Sequence, residues 1–510
     1  MKSRLTVASW ALAAAAALSV SAHGPAGAEV ITHDLLLTHV IVVDTRDGAL
    51  RRDMNVAVDG GRIASIAKAG RSPSHAARRV VDARGEYLVP GFLDMHAHIL
   101  DSEDPVGSLE LMLANGVTGF RQMSGSPELL ARRRRGTLMP TPDAPRLLAM
   151  PGTILNRFNA GTPEAATALV RDERAQGADF IKSVDGPPPA YLAGLAEARR
   201  QGLTFVGHLP PAVDVRVASK AGMRSIEHLG PRDSIFLGCS TDEAALRESL
   251  PKGGPFRPPG PPPAPAILAA LITRTLVNPI LTTNPEDFPR YERVLDTLDP
   301  AKCDELASEF RANQTWQVPT LIRLRTMELA DDPVYRNDPN LQYATAKSRR
   351  LWAEVTDQFI AKTGAQRPAL RSLFAAQLAL VRRFDRDHVP LLAGSDFGGG
   401  WVIAGFGLHQ EFDLLAQAGM SPLEVLQATT LSGAAFMGAA DRLGGVEVGK
   451  DADLVLLAGD PTRSVANLHK VEAVVRDGRY YSRQDLDAIL KRTRDRYADP
   501  GGVHGTGGRP

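Results

Sequence analysis

At 510 residues, 44% hydrophobic and 23% charged, the chain is long enough for more than one domain built around substantial cores. Lys plus Arg number 59 against 58 for Asp plus Glu, so no overall field draws it to nucleic acid or acidic lipid. Its two cysteines, Cys239 and Cys303, are too few for a thiolate metal centre; they could pair, but a core of this size does not depend on it.

The first residues read as an export signal. Lys2 and Arg4 precede an apolar segment from Trp10 to Val20, and small residues follow, ending at Ala28. Cleavage is expected after Ala28, with Ala22 as second choice. The apolar segment is short for a membrane span of about 20 residues. The expected mature protein is therefore periplasmic or secreted, without a membrane contact once residues 1–28 are removed.

Residues 29–89 alternate apolar and polar, as in Val40-Ile41-Val42-Val43 and Asn55-Val56-Ala57-Val58, with turn pairs such as Asp47-Gly48 between runs. The same texture returns within 441–482, in Asp453-Leu454-Val455-Leu456-Leu457 and Val471 to Val475. The two stretches are expected to form one small discontinuous β-sandwich domain, with Pro90-Gly91 as its hinge to the middle.

Residues 90–440 alternate helix and strand. Thr162 caps a helix that begins at Pro163, and Gly116, Gly177, Gly202 and Gly222 stop helices before new strands. Ser421-Pro422-Leu423-Glu424 is a capping box. The block Arg132 to Arg135 reads as a solvated helix face. Strands are predicted at 89–96, 118–122, 145–149, 179–182, 204–208, 225–228, 316–321 and 390–396. Eight strands alternating with helices predict an α/β fold of the (β/α)8 barrel type. Residues 251–265 are mostly Pro and Gly and form no regular element. Residues 330–360 read as a helical lid whose Tyr335, Tyr343 and Trp352 either close an apolar pocket or pack in the core. Residues 483–510 read as a C-terminal helix followed by a disordered tail.

Metal-ligand residue types fall at the C-terminal ends of these strands. His96 and His98 share one face of the first strand, because alternate side chains on a strand point the same way. Alone, that pair reads first as two polar residues leaving a strand. Lys182 ends the fourth strand, His208 the fifth, His228 the sixth, and Asp396 the eighth. Barrel active sites are built at this end of the strands, so the six side chains are expected to converge on one mouth.

Several segments together resemble the amidohydrolase superfamily, in its imidazolonepropionase-like branch with prolidase-type metallo-dipeptidases. They are Pro90 to His98, Ala178 to Lys182, Ser225 to His228, Ala393 to Asp396 and Gly449 to Leu454. The resemblance implies two divalent metal ions, zinc by ligand type, with Mn, Co or Fe as other occupants. His96, His98 and Asp396 would hold the more buried ion, and His208 and His228 the other. Lys182 would bridge the ions as a carbamate formed with carbon dioxide, since an ammonium has no lone pair to offer. Ions about 3.5–4 Å apart activate a water between them. Asp396 is the expected catalytic residue, carrying the proton from that water to the leaving nitrogen.

The implied reaction is hydrolysis of a C–N bond in a dipeptide or N-acyl amino acid. A cyclic amide or a lactone or other ester is an alternative on the same site, and a non-catalytic exported metal- or ligand-binding protein is an alternative of another class. A substrate carboxylate needs a cationic partner, for which Arg323 and Arg121 are candidates, each with a structural ion pair as the competing account. His409 is expected either near the substrate or in a helix-capping role. The segments His208-Leu209-Pro210-Pro211 and Asn156-Arg157-Phe158-Asn159 depart from the family pattern near the mouth. The expected partners are small molecules and, for assembly, further copies of the chain.

Overall fold

The computed structural model describes residues 32–70, 76–230, 232–250, 265–285 and 287–498. The expected leader at 1–28, most of the Pro/Gly-rich stretch and the tail beyond 498 lie outside the described residues.

The first five strands are β1 (Thr32–Val43), β2 (Leu50–Asp59), β3 (Arg62–Lys68), β4 (Ala76–Asp82) and β5 (Tyr87–Pro90). The middle of the chain adds β6 (Phe92–Ala97), β7 (Val117–Gln122), β8 (Arg146–Ala149), β9 (Phe180–Ser183), β10 (Thr204–Gly207), β11 (Met223–Glu227) and β12 (Trp316–Val318). The last three are β13 (Leu454–Leu457), β14 (Val471–Arg476) and β15 (Arg479–Tyr481).

Strands from both ends of the chain join in one eight-stranded sheet, ordered β15-β14-β13-β5-β1-β2-β3, with β4 also paired to β1. The join is antiparallel pairing of β5 with β13, which sets Val89 opposite Val455. Alternation decides which face each residue serves. Leu454 and Leu456 enter a core with Leu35, Val42, Val56 and Val475, while Val455 and Leu457 enter the main core of the middle region. The sheet is therefore buried on both sides along these strands.

Gly91 separates β5 from β6, so the stretch predicted as one strand at 89–96 is two strands in two sheets. A Cβ at Gly91 would lie 2.0 Å from Thr118 Oγ1, so only glycine lets the chain pass there.

The middle is mixed α/β. Parallel strands form two sheets, β6-β7-β8 and β12-β11-β10-β9. Parallel bridges Pro151–Phe180 and Leu155–Ser183 run between the β8 and β9 sides. The predicted eighth strand at 390–396 is not a regular strand. Its backbone instead alternates between neighbours: Gln317 N donates to Pro390 O at 2.9 Å, Met95 N to Ala393 O at 3.0 Å, and Asp396 N to His96 O at 2.7 Å. Pro390 brings no N–H, and Asp396 is left-handed at φ 50°, so extended geometry is interrupted at both ends. The prediction at 316–321 is shortened likewise, because Pro319 lacks an N–H and Thr320 is left-handed at φ 46°.

Thr162 and the Ser421 capping box form as expected, and Gly177 is left-handed at the end of the first of these helices. In the 330–360 region, helix Ala346–Thr363 sets Trp352 against Trp401, and Tyr343 stacks on Phe406. Helix Arg483–Ala498 docks through Arg496 to Asp104 and Arg492 to Glu110. Cys239 and Cys303 form a disulfide. Among the described residues no helix is long and apolar enough to cross a membrane.

Candidate metal centre

The centre is built from the carboxyl ends of β6, β11 and the 390–396 segment. Asp94 and His96 share the inward face of β6. Asp94 accepts from Ser395 N at 3.0 Å and Ser395 Oγ at 2.6 Å, fastening the 394–396 segment to β6 and aiming Asp396. Burial pushes the Asp94 carboxyl up to about 6 against these bonds.

Three imidazoles surround the Asp396 carboxylate. His96 Nε2 and His98 Nε2 each lie 3.2 Å from Oδ1, and His228 Nε2 lies 3.8 Å from Oδ2. The opposite nitrogen of each ring is already engaged. His96 Nδ1–H donates to Glu227 Oε2 at 2.7 Å. Ser124 gives its own proton to Asp101 and so accepts from His98 Nδ1–H at 2.9 Å. Thr320 gives its proton to the Pro319 carbonyl and accepts from His228 Nδ1–H at 2.5 Å. These partners fix one tautomer in all three rings and turn each Nε2 lone pair toward the same carboxylate.

Lone pairs facing a carboxylate oxygen repel unless a cation sits among them. His96 Nε2 is buried without a hydrogen-bond partner, as is Lys182 Nζ. His96, His228 and Asp396 offer ligand atoms that all lie within 4.8 Å of one another. Both cysteines are in the disulfide, so the donors are nitrogen and oxygen only, which suits zinc or another divalent first-row ion. The residues fit a divalent cation.

Burial lowers the His98, His208 and His228 imidazoles, the last two well below the usual range with help from Lys182 and neighbouring rings. They are neutral and free to ligate. For Asp396, burial raises and His96 and His228 lower, and the net result is well below the usual carboxylate range. Burial brings Lys182 down to about 8 against the fields of Glu227 and Asp396. His208 follows β10, its ring 4.9 Å from that of His228.

Beneath the histidines runs a buried ionic chain. Glu227 is 0% exposed and accepts from Arg121 at 2.9 Å, from Ser225 Oγ at 2.6 Å and from His96. Its carboxylate is raised by burial, but Arg121 and His96 outweigh that and hold it well below the usual range.

Non-glycine residues with left-handed backbones cluster here: His228 at φ 58°, Leu229 at 55°, Thr320 at 46° and Asp396 at 50°. Each costs about 1–3 kcal/mol, a strain that concentrates at functional sites.

A cavity of about 730 Å³ opens over the centre. His98, Lys182, His208, His228, Asp396 and Arg323 line it, with Ile154, Leu209, Ile280, Met327 and Trp352 as apolar walls. Tyr343 also lines it; Tyr335 stacks behind on Trp401.

Two expected substrate residues lie elsewhere. Arg121 is 1% exposed, is neutralised by Glu227 and donates Nε–H to Met95 O, away from the cavity wall. His409 donates from Nε2 to Asn115 O at 2.8 Å and packs edge-on against Phe92, off the cavity. Burial pushes it down to about 4, so it is a neutral core imidazole. Arg323 does reach the wall, but its guanidinium is engaged by Asp396 at 3.4 Å and by the carbonyls of Leu276 and Val277.

The sequence reading missed Asp94, Glu227, Ser124 and Thr320. Asp94 has the same strand parity as His96, and Ser225 the same parity as Glu227, so alternation carried that signal. Nothing in the sequence marked Ser124 or Thr320.

Residues 386–480 match the amidohydrolase family. A curated imidazolonepropionase of Methylobacterium sp. (strain 4-46) is 28% identical over 120 residues, covering 24% of this chain. The chain spans only 28% of that relative's length. Among solved structures, a bottromycin amidohydrolase aligns with a TM-score of 0.64 at 22% identity, covering 90% of this chain and 89% of the other. A Xaa-Pro dipeptidase with bound methionine aligns at 0.59 and 18% identity, covering 88% and 99%. Fold and donor set define a mixed α/β protein with a buried histidine–carboxylate centre. The family match covers residues 386–480, and the likeness to the solved amidohydrolase and dipeptidase structures is one of fold.

Proposed function

We propose that the chain is an exported metal-dependent amidohydrolase that cleaves the C–N bond of a dipeptide or N-acyl amino acid. The observation that carries this is the convergence of three Nε2 lone pairs on one buried carboxylate below a large cavity. In this reading the two parallel sheets close as a (β/α)8 barrel over residues 90–440. Support comes from the bridges between β8 and β9 and the bonds of 390–397 to β12 and β6. Residues 29–89 and 441–482 form the β-sandwich domain beside it, supported by their shared sheet and separate core. Residues 1–28 act as the export signal, to which the Cys239–Cys303 disulfide lends support, because such bonds persist in oxidising compartments.

His96, His98 and Asp396 would hold one ion, His208 and His228 a second, and Lys182, carboxylated by carbon dioxide, would add an anionic oxygen donor. Divalent cations bound there supply a Lewis acid that polarises the scissile carbonyl and acidifies a water. Asp396 acts as the base: the Arg323 guanidinium, 3.4 Å away, favours its ionised carboxylate at the cavity floor. It accepts the proton of the attacking water and returns it to the leaving nitrogen. Glu227, Ser124 and Thr320 keep the rings in the ligating tautomer. Leu209, Ile280 and Trp352 exclude water from the acyl side.

The test is hydrolysis of a panel of dipeptides and N-acyl amino acids by the purified protein, before and after chelation and on adding zinc or manganese. The reading expects amide cleavage that is lost on chelation and restored by metal, and absent in Asp396→Asn. No cleavage across the panel by metal-loaded protein would contradict it.

A further inference from the structure

Helix Pro265–Val277 reverses the usual placement of apolar side chains. A helix on a globular surface turns its apolar stripe to the core. Here Ile267, Leu268, Leu271, Ile272 and Leu276 are 40–62% exposed. Leu268, Ile272 and Leu276 follow one another at i, i+4 and i+8, so they stack along one face as a ridge. At about 1.5 Å per residue the ridge is about 12 Å long.

The ridge ends at the catalytic cavity. Leu276 lines that cavity while remaining exposed, so it stands at the rim, and Val277 and Ile280 continue the wall inward. The helix end is fixed there by Arg323, which donates to Leu276 O at 2.6 Å and to Val277 O at 2.9 Å. The same guanidinium lies 3.4 Å from Asp396. An apolar track therefore runs from beside the carboxylate, past Met327 and Trp352, out to Leu268.

The form of the ridge selects its occupant. A second copy of the chain would need about 800 Å² from each partner, more than five half-exposed side chains on one helix supply. An interfacial helix that lies on anionic lipid carries Lys and Arg along its polar face. This helix has a single charged residue, Arg274, which is held by Glu354 at 3.5 Å. A narrow apolar strip joined to the reacting centre fits one aliphatic chain.

We propose that Leu268, Ile272 and Leu276 form the outer part of an acyl-chain subsite, and that the acyl group cleaved is a long aliphatic chain. The proposal rests on the amide-hydrolase reading and names its acyl side. The first carbons of the chain fill the cavity between Ile280, Met327 and Trp352, and the later ones cross Leu276 and lie along the helix. Water adds to the acyl carbon, the C–N bond breaks and the proton passes to nitrogen, so a fatty acid and an amine leave. Each methylene laid on the ridge is removed from water, so binding strengthens with chain length.

The test pairs turnover with binding on the metal-loaded protein. Glycine release is followed from N-acetyl-, N-hexanoyl- and N-dodecanoylglycine. Calorimetry gives Kd for hexanoate and dodecanoate, the acyl products, with every compound below micelle formation. At about 2-fold per methylene, the wild type is expected to favour dodecanoyl over hexanoyl by roughly 60-fold in both kcat/KM and Kd. With Leu268→Ser and Ile272→Ser together the preference falls below about 10-fold, whereas Leu268→Met with Ile272→Met keeps it. Circular dichroism of each variant establishes that it is folded. A wild type with no gain beyond hexanoyl, or a serine variant that keeps the full gain, overturns the proposal and leaves the amide-hydrolase reading intact. Long-chain selectivity in Kd with no cleavage of any amide in the panel supports the subsite and contradicts the hydrolase reading. A flat chain-length series, with a dimer or phosphatidylcholine-vesicle binding that the serine variant loses in sedimentation, overturns the proposal in favour of another occupant.

Discussion

The sheet built from the two ends of the chain and the strand ends in its middle treat buried polar groups in opposite ways. In the terminal sheet the inward positions are apolar, and a buried charge such as Asp453 is matched by Arg476 at 3.2 Å and by Asp477 N at 2.7 Å. At the strand ends, His96 Nε2 and Lys182 Nζ are buried without hydrogen-bond partners, and four nearby non-glycine residues are left-handed. Left-handed non-glycine residues occur in both regions, at His39, Asp53 and Asp477 of the terminal sheet as well. The contrast lies in the metal-ligand side chains left buried without partners, which lower stability and persist where a ligand completes them. One region supplies rigidity; the other holds a site at some expense of stability.

Substitutions in the two regions should therefore separate function from stability. The largest effect is expected for His96→Ala, which removes an Nε2 ligand and cuts amide hydrolysis on the order of 10³-fold, read as kcat/KM with metal in excess. In the terminal sheet, Leu456→Ala should destabilise by about 2–5 kcal/mol in urea unfolding while turnover per folded molecule stays unchanged. Equal activity loss in the two variants would erase the distinction. A finer cut is Thr320→Val, which keeps the side-chain shape but removes the acceptor for His228 Nδ1–H. Metal affinity should fall about 10- to 100-fold, measured by competition with a chromogenic chelator.

The smallest expected effect is in the pH dependence of stability. Burial pushes Glu173, Glu328 and Glu411 each up to about 8. Between the ordinary carboxyl range and about 8, the folded protein keeps protons that the unfolded chain has lost, so these groups make stability fall as pH rises through that window. Glu328→Gln should flatten the slope, contributing on the order of 1–3 kcal/mol at pH 8 relative to pH 5. A variant with the wild-type slope would show that Glu328 does not carry it.

Much of this arrangement was legible from local pattern. His96, His98, Lys182, His208, His228 and Asp396 stand at strand ends because alternation and helix stops locate those ends, and the structure brings them to one mouth. The helix starts at Pro163 and Pro422 were legible because caps act within one turn. What local pattern could not carry was pairing across the fold. Arg121 and Glu227 are 106 residues apart, and only the folded sheets make Arg121 an internal counter-charge instead of a substrate residue. His409 failed as a substrate residue for the same reason, since its partner is the Asn115 carbonyl across the core. The strand at 390–396 was overdrawn because an apolar run reads as strand, whereas Pro390 and left-handed Asp396 break its ladder.

The central claim is that the imidazole–carboxylate cluster is a metal centre. Titration of the chelator-treated protein with zinc by calorimetry tests it most directly, with His96→Ala and Asp396→Asn alongside. The account predicts saturable binding of at least about one ion per chain in the wild type, and loss of that binding in both variants. Absence of saturable binding in the wild type, or binding that both variants retain at full strength, would contradict it.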